Sequence, residues 1–495
     1  MRLRRGLDRF PSGGQTHTIP AGSVYPIAFR GRELMNSAEN SVNAPALPAP
    51  VPRRGAMPLF EFFRTMRDNV IATYAEEAYE LEIVERKIFG RSRFLVNDPA
   101  AVKHVLLDNA AHYRKTEIAR RILEPGLGKG LITSEGETWR RHRRIMSPAF
   151  DHRSIDSYTS IMTGAAQELL ADWNRRGAGA VVDVAAAMTA VTLNIISRTM
   201  FSSDSDRIVG IMENGLSRYQ AQMRPNALDF LGFPAWLAGL RRSQVASRTL
   251  SEIDREIDRL TKMRSENPDG APRDLLARLI AARDEQSGGG MTAQEVRDEV
   301  ITIFTAGHET TAVAMTWTWY LLSQHPAEEA KLHAELEALL GARAPNSQDL
   351  GRLTYTRMVI EESMRLYPPV HTVVREALAD DTLAGRHVPK GSIVLISPWV
   401  LHRHLRLWHD PGRFDPERFS PERIAPRPRF SYLPFGGGRR ICIGAAFAIA
   451  EATMLLATIA QRVRLTLSPG HVVEPQGLIT LRPRHGMKMV ITPRA

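Results

Sequence analysis

The chain has 495 residues, 65 Lys plus Arg against 54 Asp plus Glu, a formal charge of +11 and 43% hydrophobic residues. That balance is ordinary for a globular protein and excludes a disordered chain, a collagen-like chain and a multi-span membrane protein. The single cysteine, Cys442, excludes an intramolecular disulfide, a zinc site built from cysteines and a disulfide-stabilised secreted fold.

Residues 1–34 carry Arg2, Arg4 and Arg5 with no apolar run behind them. Neither a secretory signal nor a membrane span of ~20 residues is expected there. The stretch Ala44-Pro45-Ala46-Leu47-Pro48-Ala49-Pro50-Val51-Pro52 reads as an extended polyproline-like segment. Residues 1–57 are therefore expected to be a leader and 58–495 the compact body of a soluble, cytoplasmic protein. Strands are expected at Leu81 to Val84, Phe94 to Val96, Ser392 to Ile396 and Lys488 to Ile491. The run Arg140-Arg141-His142-Arg143-Arg144 is basic, but 57 of the 65 cationic residues are arginine, a skew that points to base composition. No aromatic-interleaved RNA motif or zinc-finger spacing accompanies it, so no nucleic-acid partner is expected.

Arg283 to Gly290 ends in three glycines and reads as a loop. Behind it Thr292 and Glu295 form a capping box, and no proline follows until Pro326. At 1.5 Å per residue this helix spans about 50 Å, enough to cross a domain. Further helices are expected from Tyr355 to Leu366, where Pro368-Pro369 stops the run, and from Ala445 to Arg462, apolar nearly all round. The expected class is mainly α with a minor β portion.

Cys442 lies in Phe435-Gly436-Gly437-Gly438-Arg439-Arg440-Ile441-Cys442-Ile443-Gly444. A lone cysteine among apolar residues is ordinarily inert. Here glycines permit a tight loop, Arg439 and Arg440 supply positive potential, and a helix starts directly behind, a setting that favours thiolate. With no second cysteine, a metal at this sulfur takes its other ligands elsewhere, as haem iron takes them from porphyrin. The pattern Phe435-x-x-Gly438-x-Arg440-x-Cys442-x-Gly444 resembles the haem-ligand signature of the cytochrome P450 family. The resemblance, over roughly residues 60–495, implies that family's fold as a single haem-binding domain. It also implies haem b (iron protoporphyrin IX) with Cys442 as proximal thiolate, and O2 as co-substrate.

Other motifs agree with the resemblance. Glu362 and Arg365, one helical turn apart, resemble the family's ExxR pair, with Arg418 as third member of a structural triad. Ala306-Gly307-His308-Glu309-Thr310-Thr311 is not a zinc-protease HExxH, because position 312 is alanine. It resembles the oxygen-activation groove, in which Thr310 bonds back to Ala306, and Glu309 and Thr310 are the implied catalytic pair. Trp139, Arg143, Arg375 and Arg440 match positions that hold haem propionates. Ala306, Phe435 and Gly444 complete the implied cofactor contacts.

The 53 residues after Cys442 leave no room for a fused flavin reductase, so electrons are expected from a ferredoxin or flavodoxin and its NAD(P)H reductase. Arg140, Arg141, Arg144 and Arg439 are the expected docking cations. The implied activity is hydroxylation or epoxidation of a hydrophobic small molecule. Pocket walls are expected near residues 118–134, Val370 to Val374 and Leu478 to Leu481. Two alternatives stay open: an isomerase or dehydratase on the same fold without external electrons, and a haem-binding sensor. The retained Glu309-Thr310 pair argues against the first and the lack of an output domain against the second.

Overall fold

The structure is a computed structural model and describes residues 47–202, 208, 210–212, 235–267, 272 and 274–494. The leader expected over residues 1–57 lies outside the described residues as far as 46. Residues 47–57 lie against the body. Leu47 packs on the main apolar cluster and Arg53 bridges to Ala75. The hydroxyl of Tyr367 donates to the carbonyl of Pro48 at 3.0 Å. Tyr367 is fully buried, its ring stacked 4.0 Å from Trp317, and a buried phenol requires such an acceptor.

Helices dominate, as expected. The six that frame the site are α1 (Gly136–Met146), α2 (His152–Arg176), α3 (Val184–Phe201), α4 (Ala293–Gln324), α5 (Thr354–Leu366) and α6 (Ala445–Ala460). The capping box starts α4: Thr292 Oγ1 accepts from the Glu295 amide at 3.2 Å, and Glu295 Oε2 accepts from the Thr292 amide at 2.8 Å. Its 32 residues run through the middle of the body, buried on all sides from Thr311 to Leu322. Helix α3 lies along it, where Thr192 Oγ1 donates to the His308 carbonyl at 2.9 Å. Among the described residues α3 alone is long and apolar enough to cross a membrane, and its side chains are mostly buried inside the protein. Helix α6 packs on α2, with Phe447 edge-on to Tyr158 at 6.1 Å.

The main sheet has the order β1 (Ile83–Ile88), β2 (Arg91–Val96), β5 (Ile393–Ile396), β4 (Val373–Ala377), β3 (Tyr113–Arg114). Strands β2 and β5 are parallel and the other pairs antiparallel. The register Arg375↔Val394 and Arg114↔Glu376 places the residue after β3 beside Arg375. A small hairpin, β6 (Pro475–Gly477) with β7 (Leu481–Pro483), stands apart from this sheet.

On α5, Glu362 and Arg365 are both fully buried. Arg365 Nε and Nη2 donate to the two carboxylate oxygens at 2.6 and 2.7 Å. Its remaining N–H groups reach the carbonyls of His402 (2.9 Å), Pro411 (2.8 Å) and Arg413 (2.9 Å), so every donor of the guanidinium has an acceptor. Arg418 Nε lies 3.4 Å from Glu362 as an ion contact without hydrogen-bond geometry. Arg365→Ala strands a buried carboxylate and three carbonyls. We expect a loss of about 3–5 kcal/mol, the cost of breaking a buried ion pair. Thermal unfolding and the yield of folded protein measure it.

Candidate active site around Cys442

The segment before α6 is a tight loop that turns at Gly436 and Gly438. Gly438 has φ +66°, and a Cβ there would lie 1.9 Å from the carbonyl oxygen of Leu106. Only glycine fits. The Cys442 amide donates to the Phe435 carbonyl at 3.0 Å, closing the loop, while Phe435 itself packs on the main core. The Gly444 amide donates to the sulfur. The loop's entry is fixed from α5: the Leu433 amide donates to His402 Nε2 at 2.8 Å, and His402 Nδ1 bonds the Arg365 carbonyl at 3.2 Å. Burial holds the His402 imidazole far below its ordinary range, so it is neutral and Nε2 is free to accept.

Cys442 is solvent-accessible, although many protein atoms surround its sulfur. Burial pushes the free thiol up, and the Gly444 amide and the Arg143 guanidinium pull it back only in part. The cations nearby therefore favour thiolate less than desolvation opposes it. Gly444 meets no protein atom within 4 Å of its Cβ position, so the protein itself does not demand glycine there.

A cationic cradle adjoins the loop. On α1, Trp139 and Arg143 are one turn apart on one face. Arg143 Nη1 donates to the Ile441 carbonyl at 2.8 Å. The Arg440 guanidinium lies 4.4 Å from the Trp139 ring centroid, with Nη1 donating to the Ser134 carbonyl at 3.1 Å and Nη2 to the Glu135 carboxylate. Arg375, carried by β4, donates to the Val374 carbonyl at 3.0 Å. Lys115, directly after β3, was not anticipated from sequence. Its Nζ donates to the carbonyls of Leu131 (3.1 Å) and Ile132. Burial first, then repulsion from Arg440, pulls Lys115 down to about 7 and Arg375 to about 10. Three deep cations thus face one another with Glu135 as the nearby carboxylate. That donor set fits a dianion such as the two propionates of haem, and the accessible sulfur fits its iron. The one signal in the sequence was a lysine kept next to an arginine in an arginine-dominated chain.

Two of the expected docking cations turn inward. Arg141 donates to Glu295 at 2.7 Å, and Arg144 to the buried Asp284 at 2.8 Å. Between them His142, 1% exposed, bonds Glu299 at 2.7 Å and Glu295 at 3.2 Å. These contacts fasten α1 to the start of α4 and to the 283–290 loop. Arg140 pairs with Glu137 at 2.8 Å, and Arg439 is exposed.

In the middle of α4, Thr310 Oγ1 donates back to the Ala306 carbonyl at 2.8 Å, as expected from sequence. Gly307 leaves ordinary contact distance, 3.5 Å, to Ile196. Glu309 accepts from Thr480 at 2.6 Å and from Arg482 at 2.9 Å. Beside it, Thr311 takes part in a second acid contact that sequence reading missed. Glu451 on α6 is 1% exposed, hydrogen-bonded to Thr311, with Oε1 lacking a partner. Burial raises its carboxyl to about 8. The folded protein therefore keeps a proton that the unfolded chain releases above the ordinary carboxylate range, and Glu451 costs stability progressively as pH rises toward 8. Glu451→Gln removes that slope. The variant should gain about 1–3 kcal/mol on the parent over this interval. Thermal unfolding of the haem-loaded protein against pH tests it, and a pH-independent difference contradicts it.

The chain is similar to known proteins over most of its length. Residues 45–488 match the family model described as Cytochrome P450. Cyclooctatin synthase of Streptomyces melanosporofaciens is 37% identical over 441 residues, covering 89% of this chain and 95% of that protein. Cyclooctat-9-en-7-ol 5-monooxygenase of the same organism is 35% identical over 401 residues, covering 79% and 83%. The crystal structure of the cytochrome P450DA heme domain superposes with a TM-score of 0.78 at 26% identity, covering 91% of this chain and 99% of that one.

Proposed function

The chain belongs to the cytochrome P450 family and is a P450 monooxygenase that uses haem and O2; on that premise we propose that it hydroxylates or epoxidises a terpenoid-type carbocycle, with Cys442 as the iron ligand. The observation that supports the site assignment is the set of three cations, Lys115 and Arg375 gathered about Arg440, an arginine of the loop that carries the chain's one thiol. When bound, the haem, in this reading haem b, supplies reductive O2 cleavage and insertion of one oxygen atom into a C–H or C=C bond. The residues around it do the rest. Cys442 and the Gly444 amide hold the iron side, and Arg143 lends positive potential. Lys115, Arg375 and Arg440, the last braced on Trp139, take the propionates. Phe435 and Ala306 would line the site for the haem.

Thr310 donates its hydroxyl to the Ala306 carbonyl one turn back, in the segment that resembles the oxygen-activation groove. Glu309 supplies protons to it. Support for the substrate class comes from the exposed apolar side chains of Val370 and Ile479, at the expected pocket walls, and from the substrate named for the second relative. Electrons come in this reading from a ferredoxin or flavodoxin and its NAD(P)H reductase in the cytoplasm, docking where Arg140 and Arg439 are exposed.

Cys442→Ser should abolish the red-shifted ferrous–CO absorption band and all turnover, since no second cysteine exists to replace it. A retained band contradicts the ligand assignment. Thr310→Ala keeps a good helix former and leaves the cradle intact. Haem content should be unchanged while product per reduced nicotinamide falls by about 100-fold, the low end for loss of a group that positions a proton transfer. Peroxide, assayed in parallel, should rise. Undiminished coupling would show that this segment is only a structural helix, whereas product formed with no reductant supplied would favour the electron-independent isomerase or dehydratase.

A further inference from the structure

The hairpin β6–β7 is tied to the rest of the protein along β6 and at its tip. Along β6 the Gly477 amide donates to Asn69 Oδ1, and Asn69 Nδ2 donates to the Pro475 carbonyl, at 2.8 and 2.9 Å. At the tip His371 Nε2 bonds the Leu478 carbonyl at 2.8 Å, and the Leu481 amide donates to the Pro369 carbonyl at 3.0 Å. The two expected pocket walls, residues 370–374 and 478–481, are therefore one hydrogen-bonded unit. Val370 and Ile479, 40% and 50% exposed, present apolar side chains from it.

Two ties run from this unit to α4. One is structural: Trp317 Nε1 donates to the Leu481 carbonyl at 2.7 Å. The other ends on Glu309. Thr480 Oγ1 and Arg482 Nη2 converge on the same oxygen, Oε1, at 2.6 and 2.9 Å. Arg482 is 44% exposed, so the ion pair contributes little to stability. The carboxylate, 17% exposed, is nevertheless held in one rotamer by two donors of a different chain segment. Any rotation that carries Oε1 away from the hairpin gives up both hydrogen bonds.

We propose that Thr480 and Arg482 are positioning residues for Glu309, clasping its carboxylate to the hairpin until a hydrophobic substrate pressing on Val370 and Ile479 displaces the tip and releases it. The inference rests on the role proposed above for Glu309. Pocket occupancy and proton supply then form one linked equilibrium, in which a substrate acts only by its preference for the released state. The same clasp withholds protons from O2 reduction while the pocket has no substrate in it.

The test uses the haem-loaded protein without substrate, supplied with excess plant-type ferredoxin, its reductase and NADPH. Arg482→Ala and Thr480→Val should each raise NADPH consumption and peroxide output by at least about five-fold, the low end of coupling between sites. Arg482→Lys should restore the parent rate. Glu309→Gln combined with Arg482→Ala should remove the increase, because the released group is then no acid. Amide hydrogen exchange over residues 475–483 should quicken alike in Arg482→Ala and Glu309→Gln, a readout independent of turnover. Unchanged consumption in both Arg482→Ala and Thr480→Val overturns the clasp, as does a fall in consumption, which would make Arg482 a helper of proton supply. If Glu309→Gln alone leaves coupling intact in a protein with a normal ferrous–CO band, the role of Glu309 fails. A missing band in the parent protein fails the haem-thiolate reading instead.

Discussion

The buried pair between Glu362 and Arg365 is the constraint on which the site depends. Two charges at zero exposure are tolerated only when every lone pair and N–H is used, and here the partners come from distant chain. The carbonyls of His402, Pro411 and Arg413 and the amide of Asp415 all close on these two side chains. The stretch from 402 to 415 has little regular structure of its own, so this network takes the place of a sheet or helix ladder. Its last link, the neutral His402 ring, delivers the Leu433 amide and with it the glycine loop. The position of the Cys442 sulfur is in this sense set from α5.

Arginine works in two opposite ways around α1. Arg141 and Arg144 neutralise carboxylates that α4 and its preceding loop bring inward, and His142 completes that seam. On the other side Arg143, with Lys115, Arg375 and Arg440, leaves positive charge uncompensated. Desolvation lowers the proton affinity of each of these four groups, the expected response of cations gathered without enough anions. One short helix thus separates a neutral seam, which locates it, from a charged face, which is available to a ligand.

Much of this was legible in the residue order because the relevant signals are local. The capping box announced α4 to within a residue, Pro368-Pro369 ended α5, and the spacing of Phe435, Gly438, Cys442 and Gly444 marked the loop. What escaped notice depends on pairing between remote segments. Lys115 becomes part of the cradle only through the register of β3 on β4, and Glu451 meets Thr311 only because α6 packs on α4. The inward turn of Arg141 and Arg144 is equally invisible in a run of five basic residues. The polyproline segment, proline-rich and without period, reads as leader, yet Leu47 and Pro48 serve the core and a buried phenol. Periodicity cannot report a contact made by a single carbonyl.

The solitary thiol has a practical consequence for anyone handling the protein. Cys442 is both accessible and unaccompanied, so a sulfhydryl reagent has one possible target in the whole molecule. Alkylation stoichiometry therefore counts the molecules in which that sulfur is uncovered, giving an occupancy assay that needs no optical spectrum. It also means that a cysteine introduced at a chosen surface position, once the native one is shielded by iron, carries a spin or fluorescent label free of background.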